Sequence, residues 1–246
     1  MNKRSSPEPS RPEPPAAGAP GDEPRSGGLD PRVARAQRAY NRATLAIYDR
    51  LVLGLGCPLF WHCPSGEMLR LYDRSVGRRH LDIGPGTGYF VDRCRFPTDT
   101  PEITLLDLSP PCLAVSARRL ARYRPDTCRA DLMSPLPLPR HRFDSAAMNL
   151  VLHTVPGGWE GKGVVFGHVA GTLRPGGVLF GSTVLGEGVE MSRRTRWFLR
   201  QQQRGHFHNQ GDDPSGLEGL LAKHFSEYEL TIRGSVALFR AVTATD

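Results

Sequence analysis

The stretch of sequence that decides the fold reads His80-Leu81-Asp82-Ile83-Gly84-Pro85-Gly86-Thr87-Gly88-Tyr89-Phe90. It contains a short apolar run, an acidic residue, glycines at alternating positions and then a segment typical of a helix start. Glycine adopts backbone angles that a Cβ excludes, so such a turn can place its main chain against a ligand. The next helix begins with unpaired N–H groups. This order of features predicts a nucleotide-binding turn.

The acidic residue at the head of the turn restricts the ligand. A dinucleotide site directs backbone N–H groups and a helix N-terminus toward a pyrophosphate. The carboxylate of Asp82 would repel that anion and attract a cation. A positively charged ligand therefore fits this turn better than a dinucleotide does.

Two more acidic residues follow apolar runs further along the chain. Residues 103–107 form an apolar run that ends in Asp107, about 25 residues beyond Asp82, and a helix-like segment covers residues 110–123. An acid at the tip of a second strand binds ribose hydroxyls. Asp131 occupies a similar place after residues 128–130. The three acids are expected to lie at three neighbouring strand tips.

The motif Asp-x-Gly-x-Gly-x-Gly, followed by these two acids, resembles the class I S-adenosylmethionine (SAM)-dependent methyltransferases of the small-molecule type. SAM carries an ammonium and a sulfonium with only one carboxylate, so it is a cationic ligand. The resemblance covers residues 72–242. It implies that Asp107 binds both ribose hydroxyls, with Leu108 beside the adenine, and that Asp131 accepts a hydrogen bond from the adenine amino group. The other cofactor contacts that it implies are Asp82, Gly84, Gly86, Gly88, Asn149 and Tyr40.

The remaining apolar segments predict the fold class. Residues 143–153 are almost continuously apolar, as expected for a parallel strand that is covered on both faces. A Pro-Gly-Gly turn leads into another strand within residues 173–180, and two short strands flank Gly234-Ser235. The expected fold is α/β, a three-layer doubly wound, mostly parallel seven-stranded sheet with a C-terminal antiparallel hairpin strand and an N-terminal helical cap.

Composition divides the chain into three parts. Residues 1–31 are rich in Pro, Ser, Gly, Arg and Glu and cannot bury enough apolar surface to fold, so we expect a disordered tail. Residues 32–72 are amphipathic and aromatic-bearing, and we expect a helical cap there. Residues 73–246 form the SAM-binding domain, with a lid insertion at residues 185–213.

The cap and the lid insertion are expected to cover the methyl acceptor above the carboxyl ends of the strands. Mixed aromatic and polar residues on a long excursion are typical of a substrate lid. Core packing is the alternative explanation for such aromatic residues on a helix. The candidates for acceptor contacts are Tyr48 and Trp61 in the cap, beside Tyr40, and Trp197, His206 and His208 in the lid insertion.

Methyl transfer is an in-line displacement, so proximity and alignment supply much of the catalysis. A base is needed only when the acceptor is a hydroxyl, a protonated amine or an acidic carbon. His153, just after the fourth predicted strand, is the candidate because imidazole titrates near neutral pH. A role in shaping the pocket is the alternative for this side chain.

Other features argue against several classes of site and partner. The five cysteines are widely spaced, without a Cys-x-x-Cys pair, so we expect free thiols and no metal. The net charge of +7 comes almost entirely from arginine, and no Asn-Pro-Pro-Tyr motif follows the fourth strand, so a nucleic-acid partner is not expected. No signal-like or membrane-spanning apolar run is present, which predicts a cytoplasmic protein with no membrane partner. The sequence leaves the oligomeric state open, with a homodimer as one alternative.

The sequence therefore predicts a SAM-dependent methyltransferase that acts on a small, largely apolar or aromatic metabolite, at an O, N or C acceptor, in specialised metabolism. Three alternatives stay open. One is a SAM-binding protein of the same fold that serves as a scaffold or cyclisation catalyst without transferring methyl. The others are an RNA or protein methyltransferase and a nicotinamide-dependent oxidoreductase, against which Asp82 and the final hairpin argue.

Overall fold

The computed structural model describes residues 56–245. The predicted tail at residues 1–31 and most of the predicted cap lie outside this range, as do Tyr40 and Tyr48. Within the described part of the chain, no helix is both long enough and apolar enough to cross a membrane.

A seven-stranded sheet runs through the described residues in the order β3-β2-β1-β4-β5-β7-β6. Strands β1 to β5 pair in parallel, whereas β7 is antiparallel to both β5 and β6. This confirms the predicted mostly parallel sheet with a C-terminal hairpin. The strands are β1 (Arg79–Ile83), β2 (Glu102–Asp107), β3 (Asp126–Arg129), β4 (Phe143–Asn149), β5 (Leu173–Val184), β6 (Glu227–Arg233) and β7 (Val236–Val242).

Helices cover both faces of the sheet. Alternate residues of a strand point to opposite faces, and the two apolar clusters of the core separate in this way. In β2, for example, Leu105 belongs to one cluster and Leu106 to the other. The helices are α1 (Cys57–Phe60), α2 (Ser65–Ser75), α3 (Tyr89–Arg93), α4 (Pro110–Arg119), α5 (Trp159–Ala170), α6 (Arg193–Gln203) and α7 (Pro214–His224), with short 3₁₀ turns at Ala121–Tyr123 and Leu152–Thr154.

The local sequence explains where several helices begin. Ser192 accepts a hydrogen bond from the Thr195 N–H at the start of α6, and Asp213 accepts one from the Gly216 N–H at the start of α7. Proline at the first position of α4 has no N–H to leave unpaired. The lid insertion at residues 185–213 thus contains α6 and ends at the cap of α7.

Strand β4 ends earlier than its apolar sequence predicts. The apolar run continues to residue 153, but Leu150 has a left-handed φ of 57° and the chain turns away from the sheet after Asn149. Strand β5, in contrast, begins at Leu173, before the Pro-Gly-Gly turn, and Gly176 supplies a φ of 68° within it. Both differences arise from left-handed backbone, which apolar periodicity does not reveal.

Candidate functional site

A cleft opens at the carboxyl ends of the parallel strands β1, β2 and β4. Strand register brings the tips together, because Asp82 in β1 pairs with Leu105 in β2 and with Ala147 in β4. The glycine turn after β1 forms one wall, and the residues after β2, β3 and β4 form the others. In an open parallel sheet this edge is where ligands bind.

The glycine turn has the geometry that close ligand contact requires. Gly84, Gly86 and Gly88 have φ values of 64°, 55° and 75°, which side chains rarely adopt. A Cβ on Gly84 would lie 2.6 Å from Val151, so this glycine also permits close packing of the chain after β4. A Cβ on Gly86 would meet no described atom within 4 Å, although Gly86 lines the cleft. The turn therefore leaves open space beside its main chain for a bound group.

The three predicted acids all line this cleft. Asp82 is buried, and its Oδ2 accepts a hydrogen bond of 2.8 Å from the Tyr72 hydroxyl. Asp107 Oδ1 accepts from the Ser109 N–H at 2.8 Å. Asp131 Oδ1 accepts from the Met133 N–H at 2.9 Å. Each carboxylate is held by at least one bond and faces the same cleft.

The remaining lining is largely apolar, in two groups. Beside Asp107 and Asp131 lie side chains that suit the faces of a flat aromatic ring, namely Leu108, Ala130, Leu132 and Met133. Around the glycine turn and the chain after β4 lie Tyr89, Phe90, Leu150, Val151, Val155 and Pro156. Such a pocket, apolar with a few convergent polar groups, is typical of a small-molecule site.

The charge of the cleft selects for cations. Its lining includes the carboxylates of Asp82, Asp107 and Asp131, whereas no lining residue in the described range is Lys or Arg. A pyrophosphate placed here would face carboxylates without a compensating side-chain cation. The cleft therefore fits the sulfonium and ammonium of SAM better than it fits a dinucleotide.

Burial raises the pKa of Asp107 to about 6, although the N–H groups of Ser109 and Leu108 act in the opposite direction by stabilising the carboxylate. The pKa rises because the Asp107 carboxylate loses contact with water and receives too few hydrogen bonds from the protein to replace that contact. The two hydroxyls of a ribose are the kind of donors that would compensate such a carboxylate. In the ligand-free protein the Asp107 carboxylate thus lacks hydrogen-bond donors that a ribose could provide.

This shift predicts a pH dependence of cofactor binding. Hydroxyl donors stabilise the ionised form of Asp107, so binding lowers its pKa and releases a proton wherever the free protein is protonated. Affinity for S-adenosylhomocysteine should therefore be constant above pH 6 and fall by about tenfold per pH unit well below it. Calorimetric titration between pH 5 and 8 measures this. A flat profile in wild-type protein would contradict the prediction that Asp107 binds the ribose.

Asn149 lies at the end of β4 and contributes to the cleft lining. Its side chain is already bonded within the protein, since its Nδ2 lies 3.7 Å from the Met68 sulfur and its Oδ1 accepts from the Ser182 hydroxyl. The structure thus places Asn149 at the edge of this cleft, with its amide oriented by β5 and α2.

The structure places His153 away from the cleft lining. It is buried and packs edge-on against Phe207, with ring centroids 4.2 Å apart. Burial, together with the charge of Lys162, lowers the pKa of His153 to about 3. Its Nδ1 faces the Val184 N–H at 3.4 Å. An imidazole with so low a pKa is a weak base at neutral pH.

The predicted acceptor residues lie outside the cleft lining in the described structure. Trp61 is 4% exposed and packs against Phe198 and Phe207, so it belongs to the core. Trp197, in contrast, is 61% exposed on α6. His206 and His208 are half-buried on the chain that follows α6. The structure therefore brings the described cofactor candidates other than Gly88 to one cleft, whereas these four acceptor candidates lie outside its lining.

The lid insertion is anchored to the domain by a buried ion pair. Lys162 on α5 and Asp212 are both fully buried, with Nζ and Oδ2 2.5 Å apart. Lys162 also donates to the backbone oxygen of His208 at 2.9 Å, and the His208 N–H donates to the His153 oxygen at 2.7 Å. Burial lowers the pKa of Lys162 and raises that of Asp212, so desolvation outweighs their attraction. The pair therefore depends on the surrounding contacts that keep the Lys162 ammonium next to the Asp212 carboxylate.

Sequence reasoning missed a buried polar group beneath the glycine turn. Tyr72, His80 and Ser145 link to Asp82 through hydrogen bonds. His80 directly precedes the turn motif. A histidine within an apolar strand needs a polar partner, and this position was the only signal of such a partner in the sequence.

The cysteines 57, 63, 94, 112 and 128 are free thiols, and residues 56–245 contain no group of three or more His, Cys, Asp or Glu suited to a metal ion.

Comparisons with known proteins agree with this cleft. A family model described as a methyltransferase domain matches residues 81–179. A demethylluteothin O-methyltransferase of Streptomyces thioluteus is 44% identical over 216 residues, which is 87% of this chain and 94% of that protein. The methyltransferase verB of Penicillium polonicum is 38% identical over 219 residues, covering 83% of this chain and 96% of that protein.

Among solved structures, a phosphoethanolamine N-methyltransferase of Haemonchus contortus in complex with SAM superposes with a TM-score of 0.64. It is 14% identical, and the match covers 89% of this chain and 61% of that longer chain, so it shows the shared fold. The degree of identity to the Streptomyces enzyme over nearly the whole of both chains, together with an acid-lined glycine cleft that fits SAM, shows that the chain belongs to the SAM-dependent methyltransferases.

Proposed function

We propose that the protein transfers the methyl group of SAM to a hydroxyl oxygen of a small, largely apolar or aromatic metabolite of specialised metabolism. The single observation that carries the cofactor half of this proposal is the convergence of Asp82, Asp107 and Asp131 on one cleft without a basic lining residue in the described range. The choice of oxygen is supported by the O-methyltransferase at 44% identity.

Each cofactor contact in this proposal has a physical reason. Asp107 accepts from the ribose hydroxyls, and Asp131 accepts from the adenine amino group while Leu108 contacts the ring. Gly84 and Gly86 line the cleft and allow the main chain to approach the methionine part, while Gly88 supplies the left-handed turn before α3, and Asn149 borders the cleft. Asp82 faces the ammonium. We propose that Tyr40, which lies outside the described residues, also contacts the methionine end of the cofactor.

We propose that the acceptor is held above the cofactor by the cap and the lid insertion. The candidate contacts remain Tyr48, Trp197, His206 and His208, of which Trp197 is the most exposed in the described structure, whereas Trp61 is buried in the core. The apolar side chains of Val151, Val155 and Pro156 at the cleft favour an acceptor with little charge.

In the proposed reaction the acceptor oxygen attacks the methyl carbon in line with the departing sulfur. SAM would supply a methyl group activated by its sulfonium, from which S-adenosylhomocysteine leaves as a neutral thioether, and the protein supplies alignment and excludes water. The acceptor proton must leave before or during attack. Because His153 is buried with a pKa of about 3, we propose that an acidic acceptor loses its proton to solvent water before it enters the site, and that His153 orients the lid insertion.

Direct observation of turnover tests the proposal. Purified protein is incubated with SAM and demethylluteothin, the compound in the name of the Streptomyces relative, or with an analogue whose hydroxyl is replaced by an amine. S-adenosylhomocysteine release with one methyl added to the hydroxyl compound supports oxygen transfer. Methylation of the amine alone would overturn the choice of oxygen. Cofactor binding with no transfer to any hydroxylated acceptor would favour a non-methylating protein.

A second experiment tests the role of His153. If the acceptor ionises by itself, the rise of kcat/KM with pH should follow the pKa of the acceptor and shift when acceptors of different acidity are compared. His153→Asn retains an acceptor for the Val184 N–H, and it should leave this profile unchanged. Loss of the rising limb in the variant would instead assign His153 the proton transfer.

We also propose that the protein binds the small metabolite as its substrate and does not bind nucleic acid. Cytoplasmic localisation and a homodimer remain predictions. Light scattering of the purified full chain measures the mass in solution, for which a monomer is 27.1 kDa.

A further inference from the structure

A continuous chain of buried hydrogen bonds lies behind the Asp82 carboxylate. The Gly77 N–H donates to the Ser145 hydroxyl at 2.8 Å, and Ser145 Oγ lies 2.8 Å from His80 Nδ1. His80 Nε2 lies 3.3 Å from Asp82 Oδ2, and the Tyr72 hydroxyl donates to the same oxygen at 2.8 Å. The side chains of the chain come from α2, β1 and β4, so it joins elements that are distant in sequence.

The direction of each hydrogen bond follows from the fixed donors. Ser145 Oγ accepts from a backbone N–H, so its own hydrogen is available for His80 Nδ1. With Nδ1 accepting, the imidazole hydrogen is at Nε2, where it meets the Asp82 carboxylate. The opposite tautomer would place the Nε2 lone pair against a carboxylate oxygen. The Ser145 hydroxyl and the Asp82 carboxylate together thus fit the tautomer in which His80 donates to Asp82.

Aromatic packing holds the two donors in place. The Tyr72 ring stacks on Phe90 with centroids 5.5 Å apart and meets Phe180 edge-on at 4.9 Å. The His80 ring stacks on Phe180 at 5.8 Å. Burial and the adjacent Asp82 charge raise the pKa of Tyr72 well above its usual value, so its hydroxyl stays protonated as a donor. Neither ring can turn away without disturbing the core.

Both hydrogen bonds end at the same carboxylate oxygen, and among the described residues no hydrogen bond to Asp82 Oδ1 is formed. Asp82 and Tyr72 both line the cleft. We infer that Tyr72, His80 and Ser145 are positioning residues that fix the Asp82 carboxylate and present its Oδ1 to the ammonium of the cofactor. This inference rests on the proposed function, because it names the support of one cofactor contact.

Two ligands distinguish a role in positioning the Asp82 carboxylate from a general role in protein stability. S-adenosylhomocysteine carries the ammonium, whereas 5′-methylthioadenosine keeps the adenosine and the sulfur but lacks the amino-acid part. Titrations use the full chain as wild type, Tyr72→Phe, Ser145→Ala, His80→Leu and His80→Gln, with Tyr228→Phe as a matched control. The Tyr228 hydroxyl on β6 donates to Glu218 on α7 in an exposed pair.

Tyr72→Phe, Ser145→Ala and His80→Leu should weaken S-adenosylhomocysteine binding by about tenfold or more, as expected for lost bonds to a charged group. Binding of 5′-methylthioadenosine should change by less than about twofold. His80→Gln, which keeps an amide donor, should recover part of the loss, and Tyr228→Phe should match wild type.

Equal weakening of both ligands would overturn the inference and assign these residues a structural role, as would unchanged binding of both. Wild-type protein that binds neither ligand would overturn the proposed function itself. The two failures are thus distinguishable.

Discussion

Asp107→Asn is expected to weaken S-adenosylhomocysteine binding at pH 7.5 by about tenfold to a hundredfold while it stabilises the ligand-free protein. The first effect follows because a carboxylate accepts hydroxyl hydrogen bonds more strongly than an amide does. The second follows because Asp107 is held with a pKa of about 6 in the folded chain, against 3.8 for an ordinary aspartate. Above pH 6 the folded state alone carries the cost of the desolvated charge.

The sign of the stability effect depends on pH. The gain from Asp107→Asn should be about 3 kcal/mol at pH 7 to 8, decline between pH 6 and pH 4, and vanish below that, where both states are protonated. Urea unfolding measures the free energy, and calorimetry measures binding. Asp99→Asn, at an exposed position, removes the same charge and should change neither quantity. A variant that is less stable than wild type and binds normally would refute the assignment.

Lys162→Met should destabilise the protein by about 3 to 5 kcal/mol, the largest stability loss that we expect from a single substitution. The change leaves Asp212 buried without its cation and removes the donor to the His208 oxygen. Asp212 Oδ1 already has no hydrogen-bond partner among the described residues, so no described group would compensate the remaining carboxylate charge. Urea denaturation of the variant measures the loss.

Two controls make this prediction specific. Lys223→Met removes an exposed lysine from α7 and should change stability by less than about 0.5 kcal/mol. The double variant Lys162→Met with Asp212→Leu should recover much of the loss, because apolar groups of similar size can replace a buried ion pair. A loss below about 1 kcal/mol in Lys162→Met would contradict the buried pair.

The cofactor cleft could be predicted from the sequence because its parts are local. Asp82 and the glycines belong to one motif, and Asp107 follows its own apolar run directly. In a parallel sheet the carboxyl ends of neighbouring strands meet at one edge, so local signals at strand tips also give their spatial neighbourhood. The C-terminal hairpin was predictable for the same reason, since Gly234 marks its turn.

Contacts between distant elements could not be predicted in this way. Ser145 and His80 are 65 positions apart, and their hydrogen bond depends on the pairing of β1 with β4. Lys162 and Asp212 are 50 positions apart and read in sequence as ordinary surface charges. The early end of β4 depends on a left-handed Leu150 that apolar periodicity cannot signal. The packing of Trp61 was also not predictable, because the sequence suggested a contact with the acceptor, whereas the side chain lies in the core.

The most direct measurement is a calorimetric titration of wild-type protein with S-adenosylhomocysteine and, separately, with NADH. A cleft lined by Asp82, Asp107 and Asp131 should bind S-adenosylhomocysteine with about micromolar affinity and should not bind NADH, whose pyrophosphate would meet those carboxylates. Binding of NADH in competition with S-adenosylhomocysteine, or no binding of S-adenosylhomocysteine, would contradict the assignment of this cleft to SAM.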